Sequence, residues 1–299
     1  MRIGVTGGTG FIGQYLLRDL GNKYEFIIPI RKETIVPANK MGINYVRCDY
    51  TVNSLHKVLE GCDKVIHMAS LGMPKEQREL HMKDYDINIT LTGIVLQVCR
   101  ELGIKHIIFT STKSVYEKSC SNHIENERMK PFDEYGVSKT CSEVLADFYA
   151  RAYNLSIAIF RMPEVCGLDL TRGVLNPFWN MLLEKSCRKE KIPVYGRGKA
   201  KRELIYVKDV IRALDIAIER GISGIFNISS GYLTSNIDIV LAFCKIFSNS
   251  ENYELLPEKE EWGTNDTLDV TKSFNELGFK TKYGLYEIIE DIKKEYESK

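Results

Sequence analysis

The sequence predicts a doubly wound α/β fold, in which helices cover both faces of a parallel sheet. Three observations indicate it. Short apolar runs rich in β-branched residues alternate with helical segments along the first half of the chain. These runs are apolar throughout instead of alternating with polar residues, as expected of strands buried on both faces. The chain has 299 residues, 44% of them hydrophobic, which is enough for one large core.

Five strands and two long helices follow from this pattern. The predicted strands are residues 2–6, 24–30, 64–69, 106–110 and 155–160. The helices predicted over residues 88–102 and 135–152 each carry apolar side chains on two faces. We expect one face to pack on the sheet and the other on a second copy of the chain, which would make a homodimer. The alternative is that the chain's own loops bury the second face.

Charge and composition exclude several classes of partner. Lys and Arg number 41 against 40 for Asp and Glu, so no basic surplus points to nucleic acid. No apolar run approaches the length of a membrane span, and the first residues lack the pattern of a signal peptide. We therefore expect a cytoplasmic protein with no membrane partner. The eight cysteines are scattered and predict reduced core thiols, without a metal site.

A glycine-rich turn follows the first predicted strand and leads into an amphipathic helix. Residues 6–13 read TGGTGFIG, with glycines at Gly7, Gly10 and Gly13. Such glycines let backbone N–H groups approach a pyrophosphate at the positive end of the helix, which Phe11 and Ile12 begin. The turn therefore predicts dinucleotide binding, the alternative being an ordinary glycine-rich turn.

The second strand ends in two cations, Arg31 and Lys32, where an acidic residue would hold an adenosine ribose. Two cations suit a 2′-phosphate, so NADP(H) is favoured as the cofactor. NAD(H) is the alternative. The two residues are equally compatible with a solvated turn. Farther along, Asp49 and Tyr50 are expected near the adenine edge.

Regular alternation of strands and helices lapses after residue 161, where glycine and proline punctuate the chain. We predict a dinucleotide-binding domain over 1–165, to which a segment near 205–231 returns. A smaller, irregular substrate-binding region is expected to consist of 166–204 and 232–299.

Tyr135 and Lys139 stand four residues apart at the start of a predicted helix and therefore share one face. An ammonium beside a phenol lowers the phenol pKa, which suits Tyr135 to acid–base chemistry. Ser111 and Thr112 end the preceding strand at the edge where open α/β sheets bind ligands. Together these four residues predict a site that moves a hydride and a proton at one carbon.

At this point the sequence resembles the extended short-chain dehydrogenase/reductase family, which consists chiefly of nucleotide-sugar epimerases, dehydratases and reductases built on a Rossmann fold. The motifs that carry the resemblance are residues 6–13, 67–70, Asn88, 111–112, 115–116, 135–139, 202–210 and 268–279.

The resemblance implies a role for each matching residue. Tyr135 takes the place of the catalytic tyrosine, and Lys139 that of the lysine that also holds the nicotinamide ribose. Thr112 matches the hydroxyl that orients the substrate, with Ser111 as its neighbour. Asn88 resembles a helix-kinking asparagine, and Ala69 lies where the chain passes the cofactor. Arg202 matches an arginine that grips the diphosphate of a nucleotide sugar, and Asn176 is expected to contact the substrate.

Two departures from the family pattern narrow the function. Lys113 and Ser114 stand where the dehydratases carry an Asp–Glu pair, which disfavours a 4,6-dehydratase. Glu164 replaces an asparagine expected beside the substrate's phosphates, where a carboxylate would repel them. Either Glu164 points to Arg161 or Arg202, or the substrate is not a standard nucleotide sugar.

The leading hypothesis is an enzyme that acts at C4 of a nucleotide-linked sugar, an NADP(H)-preferring 4-ketoreductase. A nucleotide-sugar 4-epimerase would use the same residues and is the first alternative. A non-catalytic NAD(P)-sensing regulator is the second, although it would not need the Tyr135 and Lys139 pair.

Overall fold

The computed structural model describes residues 1–36, 41–71, 82–119, 121–170, 173, 176–250 and 252–298, and the side chains of 82–84 are not described. Within these residues the main sheet is parallel and has seven strands. They are β1 (Arg2–Thr6), β2 (Glu25–Ile30), β3 (Ile43–Arg47), β4 (Lys64–His67), β5 (His106–Thr112), β7 (Ser156–Met162) and β11 (Gly224–Asn227).

The strand order is β11-β7-β5-β4-β1-β2-β3, so the direction of winding reverses beside β1. Gly4 of β1 pairs with Ile27 of β2 on one side and with Val65 of β4 on the other. In open parallel sheets this reversal opens a crevice at the carboxyl ends of the strands. The glycine-rich turn after β1 lies at that crevice.

Smaller sheets extend from the second half of the chain. The other strands are β6 (Asn122–His123), β8 (Glu164–Cys166), β9 (Ile192–Tyr195), β10 (Lys201–Tyr206), β12 (Leu233–Ser235), β13 (Tyr253–Leu256) and β14 (Thr267–Leu268). In the described residues β10 pairs with β8 and β12, β9 pairs with β13, and β6 pairs with β14. The β8–β10 pairing brings Glu164 next to the strand that carries Arg202.

Helices cover both faces of the main sheet. They are α1 (Phe11–Leu20), α2 (Val52–Leu59), α3 (Met82–Leu102), α4 (Glu134–Tyr153), α5 (Pro177–Cys187), α6 (Val207–Arg220), α7 (Asn236–Ile246), α8 (Thr271–Asn275) and α9 (Leu285–Glu297). Ile27 packs with α2, α3 and α4, whereas its neighbour Ile28 packs with α1 and α6. Adjacent residues of one strand are thus buried on opposite faces, which confirms the doubly wound fold.

The predicted strands are present with bounds shifted by up to two residues. Strands β3 and β11 were missed, because β3 lies at the sheet edge with exposed residues and β11 has only four residues. Cys187 is exposed, in contrast to the predicted core position, and Cys120 lies outside the described residues. The described part of the chain has no helix with the length and apolar character that a bilayer crossing requires.

Candidate active site

The glycine-rich turn packs directly against the end of β4. Gly7 has a φ of +79°, and a Cβ there would lie 2.7 Å from the backbone nitrogen of Ala69. Only glycine fits this conformation and this distance. The Gly10 N–H donates to the Gly7 carbonyl at 2.9 Å and closes the turn before α1, and Gly13 lies in the first turn of α1 against the Gly8 carbonyl.

Two buried polar side chains fix the chain around the end of β4. His67 contacts the Thr6 hydroxyl through Nδ1 at 2.7 Å and the Thr92 hydroxyl through Nε2 at 3.0 Å. Burial, and secondarily the charge of Lys139, lowers the pKa of His67 to about 3, so the ring is neutral. Asn88 accepts from the Leu71 N–H at 2.6 Å and donates to the Leu71 carbonyl at 3.0 Å.

Asn88 also donates to the Ser138 hydroxyl at 3.0 Å, which joins α3 to α4. The predicted residues Ala69 and Asn88 therefore border the crevice. The sequence reasoning missed His67 as a cross-link between strands, although its position at the end of an apolar strand was a visible signal.

Arg31 and Lys32 are exposed just beyond β2, at the carboxyl edge of the sheet. A third cation, Arg47, lies beside them at the end of β3. Its Nη1 donates to the carbonyls of Arg31 at 2.7 Å and Thr34 at 3.0 Å, and also to the Lys32 carbonyl. Arg47 therefore holds the backbone that carries the two predicted cations. It was missed because the strand it ends was not predicted.

Asp49 and Tyr50 form a tight turn before α2. Hydrogen bonds from the Ser54 hydroxyl and from Thr51 lower the pKa of Asp49 to about 2. Its Oδ1 accepts from the Thr51 N–H at 3.0 Å, so that oxygen is used within the turn. Tyr50 has a φ of 61°, and its hydroxyl donates to the Pro29 carbonyl at 2.6 Å. Tyr50 is thus bonded to β2, whereas Asp49 stabilises the turn before α2.

The start of α4 lies against the turn that follows β5. Asp133 precedes the helix, and its Oδ1 accepts from the Gly136 N–H at 2.6 Å. A Cβ on Gly136 would lie only 2.3 Å from the Ser114 carbonyl oxygen. Thr112 accepts from the Ser114 N–H at 3.2 Å. This close approach, which only glycine permits, brings the first turn of α4 with Tyr135 to the end of the strand that carries Thr112.

Lys139 is almost completely buried, with 2% of its surface exposed. Its Nζ lies 4.5 Å from the centre of the Phe109 ring. Burial lowers the pKa of Lys139 to about 7, while the charge of Glu143 acts in the opposite direction. The lysine therefore sits close to the boundary between its charged and neutral forms at neutral pH.

Burial raises the pKa of Tyr135 to about 12, and a hydrogen bond with Ser70 opposes the rise. The four-residue spacing of Tyr135 and Lys139 predicted that the lysine lowers the pKa of this phenol. That expectation is wrong for the protein alone, because burial takes the phenolate out of water and thereby penalises the charged form. Tyr135 is therefore protonated at neutral pH.

Ser111 does not join Tyr135. Its Oγ donates to Glu143 Oε1 at 2.5 Å, on the strand face opposite to that of Thr112. Glu143 in turn pairs with Arg161 at 2.6 Å, both side chains being 2% exposed. Ser111 therefore ties β5 to a buried ion pair, and its expected catalytic role stays a prediction. Glu143, one turn beyond Lys139, was missed because its partners are distant in sequence.

A second part of the site is a cavity of about 470 Å³ between α5, α7 and β10. Arg202 lines it, with its guanidinium carbon 4.3 Å from the centre of the Phe178 ring and 4.4 Å from that of Trp262. Its Nε donates to Asn236 Oδ1 at 2.8 Å. Both aromatic rings pack against the guanidinium, and they were not predicted from the sequence.

Glu164 points to Arg202 and not to Arg161. Glu164 Oε2 accepts from Arg202 Nη1 at 3.1 Å, and Oε1 accepts from Asn176 Nδ2 at 2.6 Å. Asn176 also caps α5, since its Oδ1 accepts from the Trp179 N–H at 3.0 Å. The predicted residues Glu164, Asn176 and Arg202 are therefore joined in one network.

Comparison with known proteins identifies the family. Residues 3–229 match the family model described as "NAD dependent epimerase/dehydratase family". The chain belongs to this family. The resemblance drawn from the motifs is thereby confirmed, and the homologues of the chain are nucleotide-sugar epimerases, dehydratases and reductases.

Among curated relatives, a putative UDP-glucose 4-epimerase of Methanocaldococcus jannaschii is 30% identical over 244 residues, which is 77% of each chain. The dTDP-4-dehydro-6-deoxyglucose reductase of Escherichia coli is 28% identical over 243 residues, 76% of each chain. A dTDP-D-glucose 4,6-dehydratase of Dictyostelium discoideum is 26% identical, and the match spans 60% of its length.

Solved structures show the same fold over the whole chain. The UDP-N-acetylglucosamine 4-epimerase of Bacillus cereus is 28% identical with a TM-score of 0.85, and the match covers 98% of both chains. MoeE5 in complex with UDP-glucuronic acid and NAD is 26% identical with a TM-score of 0.82, and the match covers 100% of this chain and 99% of MoeE5.

Proposed function

We propose that the protein is a 4-ketoreductase that reduces C4 of a nucleotide-linked 4-keto sugar and prefers NADP(H). The observation that carries this proposal is the placement of a protonated Tyr135 and a buried Lys139 at the strand end that holds Thr112. A reductase needs an acid beside the carbonyl oxygen, and a phenol that keeps its proton at neutral pH supplies one.

The crevice fits a dinucleotide. The turn of Gly7 and Gly10 leads directly into α1, and in this proposal the pyrophosphate lies at the start of that helix, beside the Phe11 and Ile12 amides. Ala69 lies beside this turn, where its N–H donates to the Thr6 hydroxyl at 3.4 Å. When bound, the nicotinamide supplies the hydride.

The chain's own residues then handle the proton and the orientation. In this proposal Thr112 holds the oxygen at C4 by a hydrogen bond, and the Tyr135 hydroxyl donates its proton to that oxygen. The Lys139 ammonium is placed to hold the nicotinamide ribose and to stabilise the phenolate that remains. Because Lys139 is buried, water would screen its charge only weakly from a phenolate formed beside it.

The preference for NADP(H) rests on Arg31 and Lys32, with Arg47 holding their backbone. An Arg31→Asp variant replaces an attraction for the 2′-phosphate with a repulsion. We expect a loss of NADPH affinity of at least tenfold with little change for NADH. Lys105→Asp is the control, since Lys105 is exposed at the opposite edge of the sheet. Equal losses for both cofactors would contradict the preference.

The reductase proposal is tested with a nucleotide-linked 4-keto-6-deoxyhexose and NADPH. We expect stoichiometric loss of the NADPH absorbance as the sugar is reduced, because each turnover consumes one hydride. An Arg202→Met variant should raise KM for this substrate. Interconversion of UDP-hexoses without added cofactor would contradict the reductase and replace it with the epimerase.

The second candidate, a 4-epimerase, is favoured by the similarity to the Bacillus cereus UDP-N-acetylglucosamine 4-epimerase. An epimerase has no net redox change and is served by a cofactor that stays bound. Mass spectrometry of ligands retained after gentle purification separates the two. Tightly held NAD would favour the epimerase, and an empty or NADPH-exchangeable site the reductase.

We also propose that the protein is a homodimer through α3 and α4. Val144 and Phe148 of α4 are 55% and 46% exposed, and Ile87 of α3 is 42% exposed. In contrast, Leu96 and Cys99 of the second stripe of α3 are buried within the chain itself. The exposed part of both helices therefore suits a second copy of the same surface.

A further inference from the structure

We propose that Glu164 is a specificity-determining residue that acts as a built-in counter-ion for Arg202 and weakens the binding of a nucleoside diphosphate. The inference rests on the proposed function, because it takes the cavity beside Arg202 as the place of the substrate's nucleotide part.

The donors of Arg202 are partly used before any ligand arrives. Its Nε donates to Asn236 and its Nη1 donates to Glu164 at 3.1 Å. The rings of Phe178 and Trp262 both pack against the guanidinium, 4.3 and 4.4 Å from its central carbon. A phosphate that approaches Arg202 therefore finds two of its nitrogens already bonded and meets a cation whose charge Glu164 already balances.

Glu164 cannot easily turn away. Its other oxygen accepts from Asn176, which is itself fixed as the cap of α5. Its backbone is fixed by pairing with Leu204 between β8 and β10. The side chains of Arg202 and Glu164 are only 9% and 21% exposed, so water screens the carboxylate weakly. A phosphate that contacts Arg202 therefore also lies close to a fixed negative charge.

Among the described residues that line the cavity, Arg202 is the one cation. Besides Arg202, the ionisable side chains that line the cavity in the described part of the chain are the phenol of Tyr195 and the carboxylate of Glu260. The other lining residues are mainly apolar or aromatic, such as Met181 and Val240. The cavity therefore favours the uncharged nucleoside part of a ligand over its diphosphate.

The test compares the binding of UDP, dTDP and uridine to the wild-type protein and to Glu164→Gln. Glutamine keeps the length and one hydrogen-bond acceptor but removes the charge. We expect the affinity for both diphosphates to rise at least tenfold, since Arg202 regains its free charge, while that for uridine changes less than about twofold. Calorimetry measures the affinities.

Glu260→Gln is the matched control. It removes a carboxylate from the same cavity, and Glu260 is not a hydrogen-bond partner of Arg202. Glu164→Asn repeats the charge removal with a shorter side chain, in case glutamine disturbs the fold. Tryptophan fluorescence gives a second readout, because Trp262 is 58% exposed at the cavity whereas Trp179, the other tryptophan, is 1% exposed.

The outcomes separate the two proposals. An unchanged or lower diphosphate affinity in both folded Glu164 variants would overturn the counter-ion role. An equal rise for uridine would also overturn it, since the effect would then not depend on phosphate charge. If neither the wild-type protein nor the variants bind UDP or dTDP, a substrate linked to either of these nucleotides is refuted.

Discussion

Lys139→Met should stabilise the protein while it abolishes turnover. Lys139 is 2% exposed, and burial lowers its pKa from 10.5 to about 7. The folded state therefore disfavours the charged lysine that the unfolded chain carries freely. Methionine has a similar length, fills the same apolar space and carries no charge, so it removes this cost.

The size of the effect depends on pH in a defined direction. Above pH 10.5 the lysine is neutral in both states and the cost vanishes. As the pH falls, the unfolded chain binds the proton first, so the cost grows until about pH 7 and is constant below. At roughly 1.4 kcal/mol per pKa unit, the cost is about 4 to 5 kcal/mol near pH 6 and about 2 kcal/mol near pH 9.

The free energy of unfolding of both proteins is measured by denaturant titration at these two pH values. We expect the gain of Lys139→Met to be larger near pH 6 than near pH 9 by about 2 to 3 kcal/mol. Lys105→Met is the control, because Lys105 is exposed and lies at the other edge of the sheet. A gain that does not change with pH, or a loss of stability near pH 6, would refute the reasoning.

Three further changes test the site and the assembly. Tyr135→Phe should lower turnover by about 10²- to 10⁴-fold while cofactor binding survives, which rate and binding assays check. Gly136→Ala places a Cβ 2.3 Å from a carbonyl oxygen and should cost about 1 to 3 kcal/mol of stability, whereas Gly93→Ala, with its nearest neighbour at 4.0 Å, should be neutral or stabilising. Phe148→Asp should shift the mass by light scattering from a dimer to the 34.2 kDa monomer at micromolar concentration, and a wild-type monomer over that range would contradict the interface.

The sequence predicted those parts of the site that depend on spacing within one segment. The glycine turn of residues 6–13 and the pair of Tyr135 and Lys139 are local patterns, and the structure places them at one edge of the sheet. Contacts between distant segments were not predictable in this way. The pairing of Glu164 with Arg202 spans 38 residues, and no local pattern decides between Arg202 and Arg161.

The direction of the pKa shift of Tyr135 could not be predicted from the sequence either. The spacing of Tyr135 and Lys139 indicated a lowered phenol pKa, but burial of both groups reverses that sign. Ser111 and Thr112 are adjacent in sequence, and strand geometry sends their side chains to opposite faces. The burial of a side chain and the sheet face on which it lies both depend on the assembled sheet.

In the proposed reaction the nicotinamide hydride is transferred to C4 of a nucleotide-linked sugar in the site of Thr112, Tyr135 and Lys139. The direct measurement uses NADPH that carries deuterium at the transferred position of the nicotinamide C4. A nucleotide-linked 4-keto-6-deoxyhexose is reduced with it, and the product is analysed by NMR. We predict one deuterium at C4 of the sugar with the wild-type protein and none with Tyr135→Phe within the same time. A product without deuterium at C4 would contradict the claim.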